Sequence, residues 1–356
     1  MRKIVAERRE VKAECGLGDI YVGIDVHKRS YSVALWSGGV IIKTWTSPAN
    51  IEVLLNSLAC YRSRIRSIVY EAGPTGFGLA RRLRDERYSV CVAAPSQIPR
   101  EAAPMNKTDR LDCRKLALYS GTGVLTKFVT VPTEEEEDDR QVVRLRGCFA
   151  RKLRQVKQQI KSLLLQHGIE EPDGLEHWSN KALEELVKMK ARPGVRFSLD
   201  ILLSNLWQLK KELKEIDSYV EKIASSPRHK KRVEILRSHP GVGEVVAASF
   251  ETEMFSGREF RNANEVGAFL GLAPRVESSG EKERRGHIMK RGNGPLRALL
   301  VQAAWKWIQL DPRARSRYGQ LLHQTGEPNK SITAMARKLG IHLWRMLERG
   351  ELYKAV

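Results

Sequence analysis

The sequence lacks the features that mark several large classes of protein. Its five cysteines never stand in a Cys-x-x-Cys pair, which argues against a zinc site or a disulfide framework. No apolar run approaches the length of a transmembrane helix, and the charged N-terminus has no apolar signal-peptide core. These absences predict a cytoplasmic protein with reduced cysteines.

Positive charge is what the chain has in excess. The 356 residues include 62 Lys and Arg against 42 Asp and Glu, a formal net charge of +20. Such an excess attracts polyanions, so nucleic acid is the first partner to expect. A chain of this length favours two domains over one.

An aspartate stands at the end of the first segment whose apolar residues predict a β-strand. The segment YVGIDVHKRSYSVALW, residues 21–36, predicts a hairpin whose first strand ends at Asp25 and whose turn contains Lys28. A carboxylate at the end of a buried strand is costly unless a cation compensates it. That cation could be a metal ion, a lysine or part of a substrate.

The order of patterns predicts an α/β fold followed by an all-α region. Three antiparallel strands, a helix and further strand–helix units indicate a mixed-sheet domain over residues 20–130, after a flexible leader at 1–19. Residues 131–232 are predicted to form a helical coiled-coil or dimerisation region. Residues 233–356 then form a compact helical domain with a helix-hairpin-helix-like turn.

The helical region begins with an acidic run, EEEEDD at 134–139. We interpret it as a helix start with a capping box between Thr133 and Glu136, rather than as a metal site. A later helix carries apolar residues at steps of three and four, which predicts a coiled-coil seam: Leu199, Leu202, Leu206, Leu209, Leu213, Ile216, Val220 and Ile223. The seam could pack within one chain or join two chains.

Four carboxylates in the first domain stand at positions suited to chemistry. Asp25 and Glu71 each end a predicted strand, and Asp109 and Asp112 share one face of a helix start. Singly, each has a structural explanation, such as helix capping or pairing with a neighbouring cation. Together they offer hard oxygen ligands for Mg²⁺ or Mn²⁺, and two such ions can promote phosphodiester cleavage.

A second group of motifs lies in the C-terminal domain. HPGVG at 239–243 places Gly241 and Gly243 in a turn whose backbone N–H groups can bind a phosphate. Downstream, Ser278 and Ser279 stand before a segment rich in arginine and lysine, predicted as a basic loop. The serines are either turn formers in a phosphate-gripping loop or include a nucleophile for phosphoryl transfer.

These motifs in this order resemble the DEDD transposases of bacterial insertion sequences, which include Piv-like invertases and bridge-RNA-guided recombinases. The resemblance is carried by GIDVHK, YEAGPTGFGL, KTDRLDCRKLA, FLGLAPRVESSG and GHIMKRGNGPLR. It implies an RNase H-like, RuvC-like domain with the family's D-E-D-D on Asp25, Glu71, Asp109 and Asp112. It also implies a nucleophilic serine before a glycine, which favours Ser279 over Ser278.

The resemblance implies a mechanism and a set of partners. The serine attacks DNA with metal assistance, giving a phosphoserine–DNA intermediate and then strand exchange. A structured bridge RNA pairs with donor and target DNA, and dimers assemble into a tetramer in which carboxylates of one subunit meet the serine of another. Nucleic-acid contact is assigned to Lys28, Lys107, Arg110, Gly241, Gly243, Arg275, Arg284, Arg285, Lys290, Arg291 and Arg297.

Three other functions compete with this interpretation. A RuvC-like junction nuclease would use the carboxylates and water alone. An actin-like kinase would need further phosphate-binding glycine loops, and the sequence shows no convincing one. A non-catalytic RNA-binding scaffold would make the carboxylates structural.

Overall fold

A computed structural model describes residues 18–95, 98–99, 109–254, 260–279, 282–288 and 292–354. The predicted leader lies outside these residues, except for its last two positions. The chain divides into two compact units, with the boundary between Pro132 and Thr133. The predicted further division of the second unit at residue 232 stays a prediction.

The first unit is built on a five-stranded mixed sheet in the order β3-β2-β1-β4-β5. The predicted run of three antiparallel strands is confirmed. β4 then pairs parallel to β1, and β5 parallel to β4. The strands are β1 (Ile20–Val26), β2 (Ser30–Ser37), β3 (Val40–Pro48), β4 (Ile65–Glu71) and β5 (Val90–Ala93).

Both faces of this sheet are covered, because alternate residues of β1 and β4 point to opposite sides. One face holds Ile24 and Tyr70 in a core with Leu54 and Leu83. The other face packs Val69 with residues of a third helix. The helices are α1 (Ile51–Leu58), followed by a 3₁₀ turn (Ala59–Arg64), α2 (Gly78–Asp85) and α3 (Asp109–Gly121).

Two 33-residue helices dominate the start of the second unit: α4 (Glu134–Gln166) and α6 (Pro193–Ser225), with the short α5 (Asn180–Lys188) between them. The predicted capping box of Thr133 and Glu136 is confirmed. The two long helices run antiparallel, since Arg146 pairs with Asp217 at one end and Arg192 contacts His167 at the other.

The predicted apolar seam of α6 packs against α4 of the same chain. Leu199, Leu206 and Leu209 share one core with Ile160 and Leu164. This packing answers the question that the sequence left open for these two helices. A role of the helices in dimerisation stays a prediction.

The rest of the unit is helical with one hairpin: α7 (Lys230–Arg237), α8 (Glu244–Glu253), α9 (Ala263–Phe269), β6 (Pro274–Ser279), β7 (Lys282–Ile288), α10 (Gly294–Leu310), α11 (Pro312–Thr325) and α12 (Pro328–Arg349). The basic loop expected over residues 278–297 is wrong in part, because residues 278–279 and 282–288 belong to the antiparallel pair of β6 and β7 and α10 begins at Gly294. Within the described part of the chain, every helix is too short or too polar to cross a membrane.

Candidate active site

Asp25 and Glu71 lie at the same edge of the sheet. β1 and β4 are parallel, and their register pairs Gly23 with Val69 and Ile24 with Tyr70. One step further along the two strands are Asp25 and Glu71. Neighbouring strands lie about 4.8 Å apart, so these adjacent carboxylates can reach one shared ion.

The same register shows to which face of the sheet Asp25 and Glu71 point. Residues two apart on a strand share a face, so Asp25 points to the side of Gly23, and Glu71 to the side of Val69. Val69 belongs to a core with Leu116 of α3. Both carboxylates therefore lie on the face that α3 covers.

α3 packs against this face through a glycine. A Cβ atom at Gly23 would lie only 2.1 Å from the Cys113 carbonyl oxygen and 2.4 Å from the Ala117 nitrogen. At the far end of the helix, the Ser120 and Ser67 hydroxyls are 2.8 Å apart. Since Ser67 lies near the start of β4, α3 runs opposite to β4, and its N-terminus lies at the carboxylate edge.

The rise per residue of a helix and of a strand shows how far along the sheet Asp112 and Asp109 lie, measured from the position of Gly23. Asp25 is two residues beyond Gly23, about 6.6 Å along the strand. Asp112 and Asp109 lie about 4.5 and 9 Å along α3 from the level of Gly23, at 1.5 Å per residue. The level of Asp25 thus falls between the two helix positions, although only the backbone of Asp109 is described.

Electrostatics agrees with this placement. The thiol of Cys113 is buried, and burial together with the nearby Asp25 carboxylate raises the pKa of Cys113 to about 11. Asp25 also contacts the His27 ring nitrogen Nε2 through Oδ2 at 3.1 Å. The Asp25 side chain is 20% exposed, so its carboxylate remains open to solvent at the edge of the sheet.

The donor set fits a hard divalent cation. Carboxylate oxygens are the ligands that Mg²⁺ and Mn²⁺ prefer, and two strand positions and one helix position bring them to one edge. Among the described side chains, which exclude that of Asp109, no three His, Cys, Asp or Glu residues are close enough together to hold a metal ion. The fit therefore rests on strand register, shared face and donor chemistry.

The two candidate serines end β6 of the second unit. In the hairpin register, Ser279 lies opposite Lys282, and Ser278 lies opposite Glu283. On the same ladder, Glu277 faces Arg284 and Val276 faces Arg285. The backbone of this segment is therefore a strand pair, and the predicted contacts Arg284 and Arg285 have defined positions in its register.

The HPGVG turn connects α7 to α8. Gly241 has a φ of +88°, and a Cβ there would lie 2.6 Å from the Trp307 nitrogen of α10. Close packing against α10 is sufficient reason for this glycine. Gly243 is exposed and caps α8, but Glu244 in the first turn places negative charge where a phosphate would bind. Phosphate binding at this turn stays a prediction.

The remaining predicted contacts are only partly described. Lys28 is exposed in the β1–β2 turn, and Arg297 is half-buried on α10, donating to the Gly271 carbonyl at 3.1 Å. Arg110 and Arg275 are placed by their backbones alone, on α3 and β6. Three others lie outside the described residues: Lys107, Lys290 and Arg291.

Two features of the structure were missed by sequence reasoning. One is the contact of His27, in the turn between β1 and β2, with Asp25. The cationic surface of α4 was also missed, although residues 140–166 contain eight Lys and Arg and no Asp or Glu. That count is the sequence signal for a basic helix surface, and the acidic run at 134–139 directly before it offsets it in the net charge of the helix.

Comparisons with known proteins agree with this architecture. Residues 22–169 match a family model described as a transposase, DEDD type, and residues 233–319 match the model of the IS116/IS110/IS902 transposase family. The chain is 30% identical to "Putative transposase y4qE" of Sinorhizobium fredii, over 92% of this chain and 82% of that protein. It is 27% identical to the transposase for insertion sequence element IS1111A of Coxiella burnetii, over 74% of each chain. It is 26% identical to the IS1533 transposase of Leptospira borgpetersenii, over 81% of this chain and 85% of that one.

Proposed function

Because the chain belongs to the IS116/IS110/IS902 family of insertion-sequence transposases, enzymes that cleave and rejoin DNA, we propose that it acts through two chemical groups. The first is the carboxylate set Asp25, Glu71, Asp109 and Asp112, which holds the divalent metal that the DEDD family implies. The second is Ser279, which attacks the DNA backbone.

The observation that carries the first part is the shared edge of β1 and β4. Asp25 and Glu71 are neighbours in register and face α3, whose first turns carry the other two carboxylates. These carboxylates would hold a divalent cation there, and the cation would neutralise charge on a phosphodiester. The protein's own contribution is to fix the carboxylates through an RNase H-like sheet and the close contact at Gly23.

Support for Ser279 over Ser278 comes from the hairpin register. Ser279 lies opposite a lysine, whereas Ser278 lies opposite a glutamate. Directly opposed residues of an antiparallel pair are close neighbours, and a cation favours the approach of an anionic phosphate. In the proposed step the Ser279 hydroxyl loses its proton as Oγ bonds to phosphorus, one phosphorus–oxygen bond to a sugar breaks, and the released sugar oxygen takes up a proton.

Sequence choice in this proposal is delegated to a bridge RNA that pairs with donor and target DNA. The net charge of +20 supports binding of more than one nucleic-acid strand. Assembly of dimers into a tetramer is also proposed. In that assembly, the exposed apolar side chains Phe197 and Ile201 of α6 offer a surface for a second copy.

The second candidate function is a RuvC-like nuclease in which water replaces the serine. The edge of β1 and β4 supports both functions equally well, because both need the same carboxylates. The two differ only in whether protein becomes covalently attached to DNA. The experiment must therefore measure attachment as well as cleavage.

The test incubates purified protein, Mg²⁺ and co-expressed RNA with labelled donor and target DNA, then resolves covalent adducts on a denaturing gel. We expect wild type to form an adduct, Ser279→Ala to form none, and Ser278→Ala to retain it. Asp25→Asn should abolish both adduct and cleavage. Cleavage without an adduct in wild type, unchanged in Ser279→Ala, would establish the water-only nuclease.

A further inference from the structure

A cavity of about 570 Å³ within the second unit lies between α4 and the start of α10. We call it the arginine cavity, because its lining includes five arginines: Arg144, Arg146, Arg151, Arg154 and Arg297. Among the described residues that line the cavity, Glu253 is the only acidic one. Four of these arginines are on α4. None of the residues predicted from the sequence to contact nucleic acid lies on that helix.

Two of the five arginines are already neutralised. Arg144 binds Glu253 through two hydrogen bonds of 2.6 and 2.9 Å. Arg146 donates to Asp217 at 2.8 Å. These pairs hold the wall of the cavity in place, but they add little net positive charge to it.

The positive charge of the cavity comes from Arg151 and Arg154. Both are exposed, and within the described part of the chain neither has a carboxylate within 4 Å. Arg154 makes only a 3.4 Å contact with the carbonyl of Ala150 in its own helix. Arg297 adds a third cation, held by its hydrogen bond to the Gly271 carbonyl.

The helix end beside the cavity does not supply this attraction. At the start of α10, the side chain of Asn293 accepts the Leu296 N–H at 3.0 Å, and Pro295 has no N–H to offer. The guanidinium groups are therefore the donors available to an anion. Guanidinium groups bind phosphate oxygens in a planar, two-point geometry, which suits them to this role.

We propose that the arginine cavity binds a backbone phosphate of a nucleic-acid strand through Arg151, Arg154 and Arg297. A polymer fits better than a small anion, because α4 continues past the cavity and its residues 140–166 contain no acidic residue. The proposal rests on the proposed function only in expecting a nucleic-acid ligand. It requires neither the serine nor the metal.

The test measures binding by fluorescence anisotropy in EDTA, between 50 and 300 mM salt, with a labelled DNA duplex and a labelled single-stranded RNA. The variant is Arg151→Gln/Arg154→Gln. The matched control is Lys211→Gln/Lys214→Gln, which removes the same charge from exposed positions on α6 that do not line the cavity. Thermal melts of both variants confirm that they fold.

Each lost phosphate contact lowers the slope of log K against log salt by about 0.9 for duplex DNA and about 0.7 for a single strand. At 0.1 M salt the loss weakens binding about eightfold and about fivefold, respectively. We expect the cavity variant to lose one to two such contacts and the control to lose less than half of one. Arg151→Lys/Arg154→Lys should keep the salt slope, since it keeps the charge. The strand type whose slope changes identifies DNA or RNA as the ligand.

Equal binding by wild type and the cavity variant, or an equal loss in the α6 control, would overturn the proposal. Absence of nucleic-acid binding by wild type would overturn it as well. Failure of the proposed function alone would appear as no DNA cleavage with Mg²⁺ by a wild type that binds nucleic acid in EDTA. A wild type that binds in EDTA but does not cleave would still test the arginine cavity.

Discussion

Replacing Gly23 by alanine tests the geometry of the candidate active site without altering any carboxylate. The new Cβ would lie 2.1 Å from the Cys113 oxygen and 2.4 Å from the Ala117 nitrogen, whereas ordinary contact begins near 3.4 Å. Both neighbours are backbone atoms of α3, so no side-chain rotation can relieve the clash. The helix must move away from β1 by about 1.3 Å.

Two consequences follow from this movement. Overpacking of this kind costs about 1–3 kcal/mol of unfolding free energy. Displacement of Asp112 and Asp109 relative to Asp25 should reduce DNA cleavage by about a hundredfold, since misplacement by about 1 Å has effects of that size.

The assays are Mg²⁺-dependent cleavage of donor DNA and thermal unfolding by circular dichroism. Gly78→Ala is the control, because a Cβ at this exposed first residue of α2 meets nothing within 4 Å. It should retain full activity and stability. If Gly23→Ala instead keeps cleavage within twofold of wild type and melts at the same temperature, α3 does not pack on β1 as described.

Two buried histidines of the second unit predict opposite pH dependences. Burial lowers the pKa of His229, but contacts with Glu251 at 2.5 Å and Asp139 at 2.8 Å outweigh it and raise that pKa. Protonated His229 therefore stabilises the fold below about pH 6.5, and this stabilisation is lost as pH rises through the raised pKa. His229→Gln should lower the free energy of unfolding, measured by urea denaturation, by about 2 kcal/mol at pH 6 and by less at pH 9. Burial, aided by His342, lowers the pKa of His239 to about 4. The free energy of unfolding should thus fall by about 3 kcal/mol as pH drops from 6.5 to 4. His239→Leu should remove this dependence of stability on pH. If the dependence persists in the variant, His239 is not its cause.

The strands and their terminal carboxylates could be predicted because each apolar run is short and bounded. Asp25 and Glu71 each follow such a run, and both lie at strand ends in the structure. Hydrophobic periodicity alone could not place them on neighbouring strands, because that depends on β4 pairing with β1 rather than with β3. Periodicity describes a single strand, whereas pairing is decided by packing of the whole sheet.

The β6–β7 hairpin was missed for a different reason. Its strands contain Val276 and Ile288 as their few apolar residues and are otherwise polar or charged, so no period-2 apolar pattern appears. The structure pairs them through the backbone ladder, which leaves no trace in composition. The error matters because a hairpin distinguishes Ser278 from Ser279 by their opposite neighbours, which a loop does not.

Charge along α4 shows why net charge could not locate a binding surface. The first six residues, 134–139, are all acidic, and the remainder of the helix is basic and free of carboxylates. The acidic turn is explained by the positive helix N-terminus and by the capping box, so it does not neutralise Arg151 or Arg154 further along. The opposite charges of one helix are thus separated along its length, and a summed charge hides the separation. Only the pairing of each cation reveals which arginines remain available to an anion: Arg144 and Arg146 are bound to carboxylates, and Arg151 and Arg154 are the cations of this wall that can bind a phosphate.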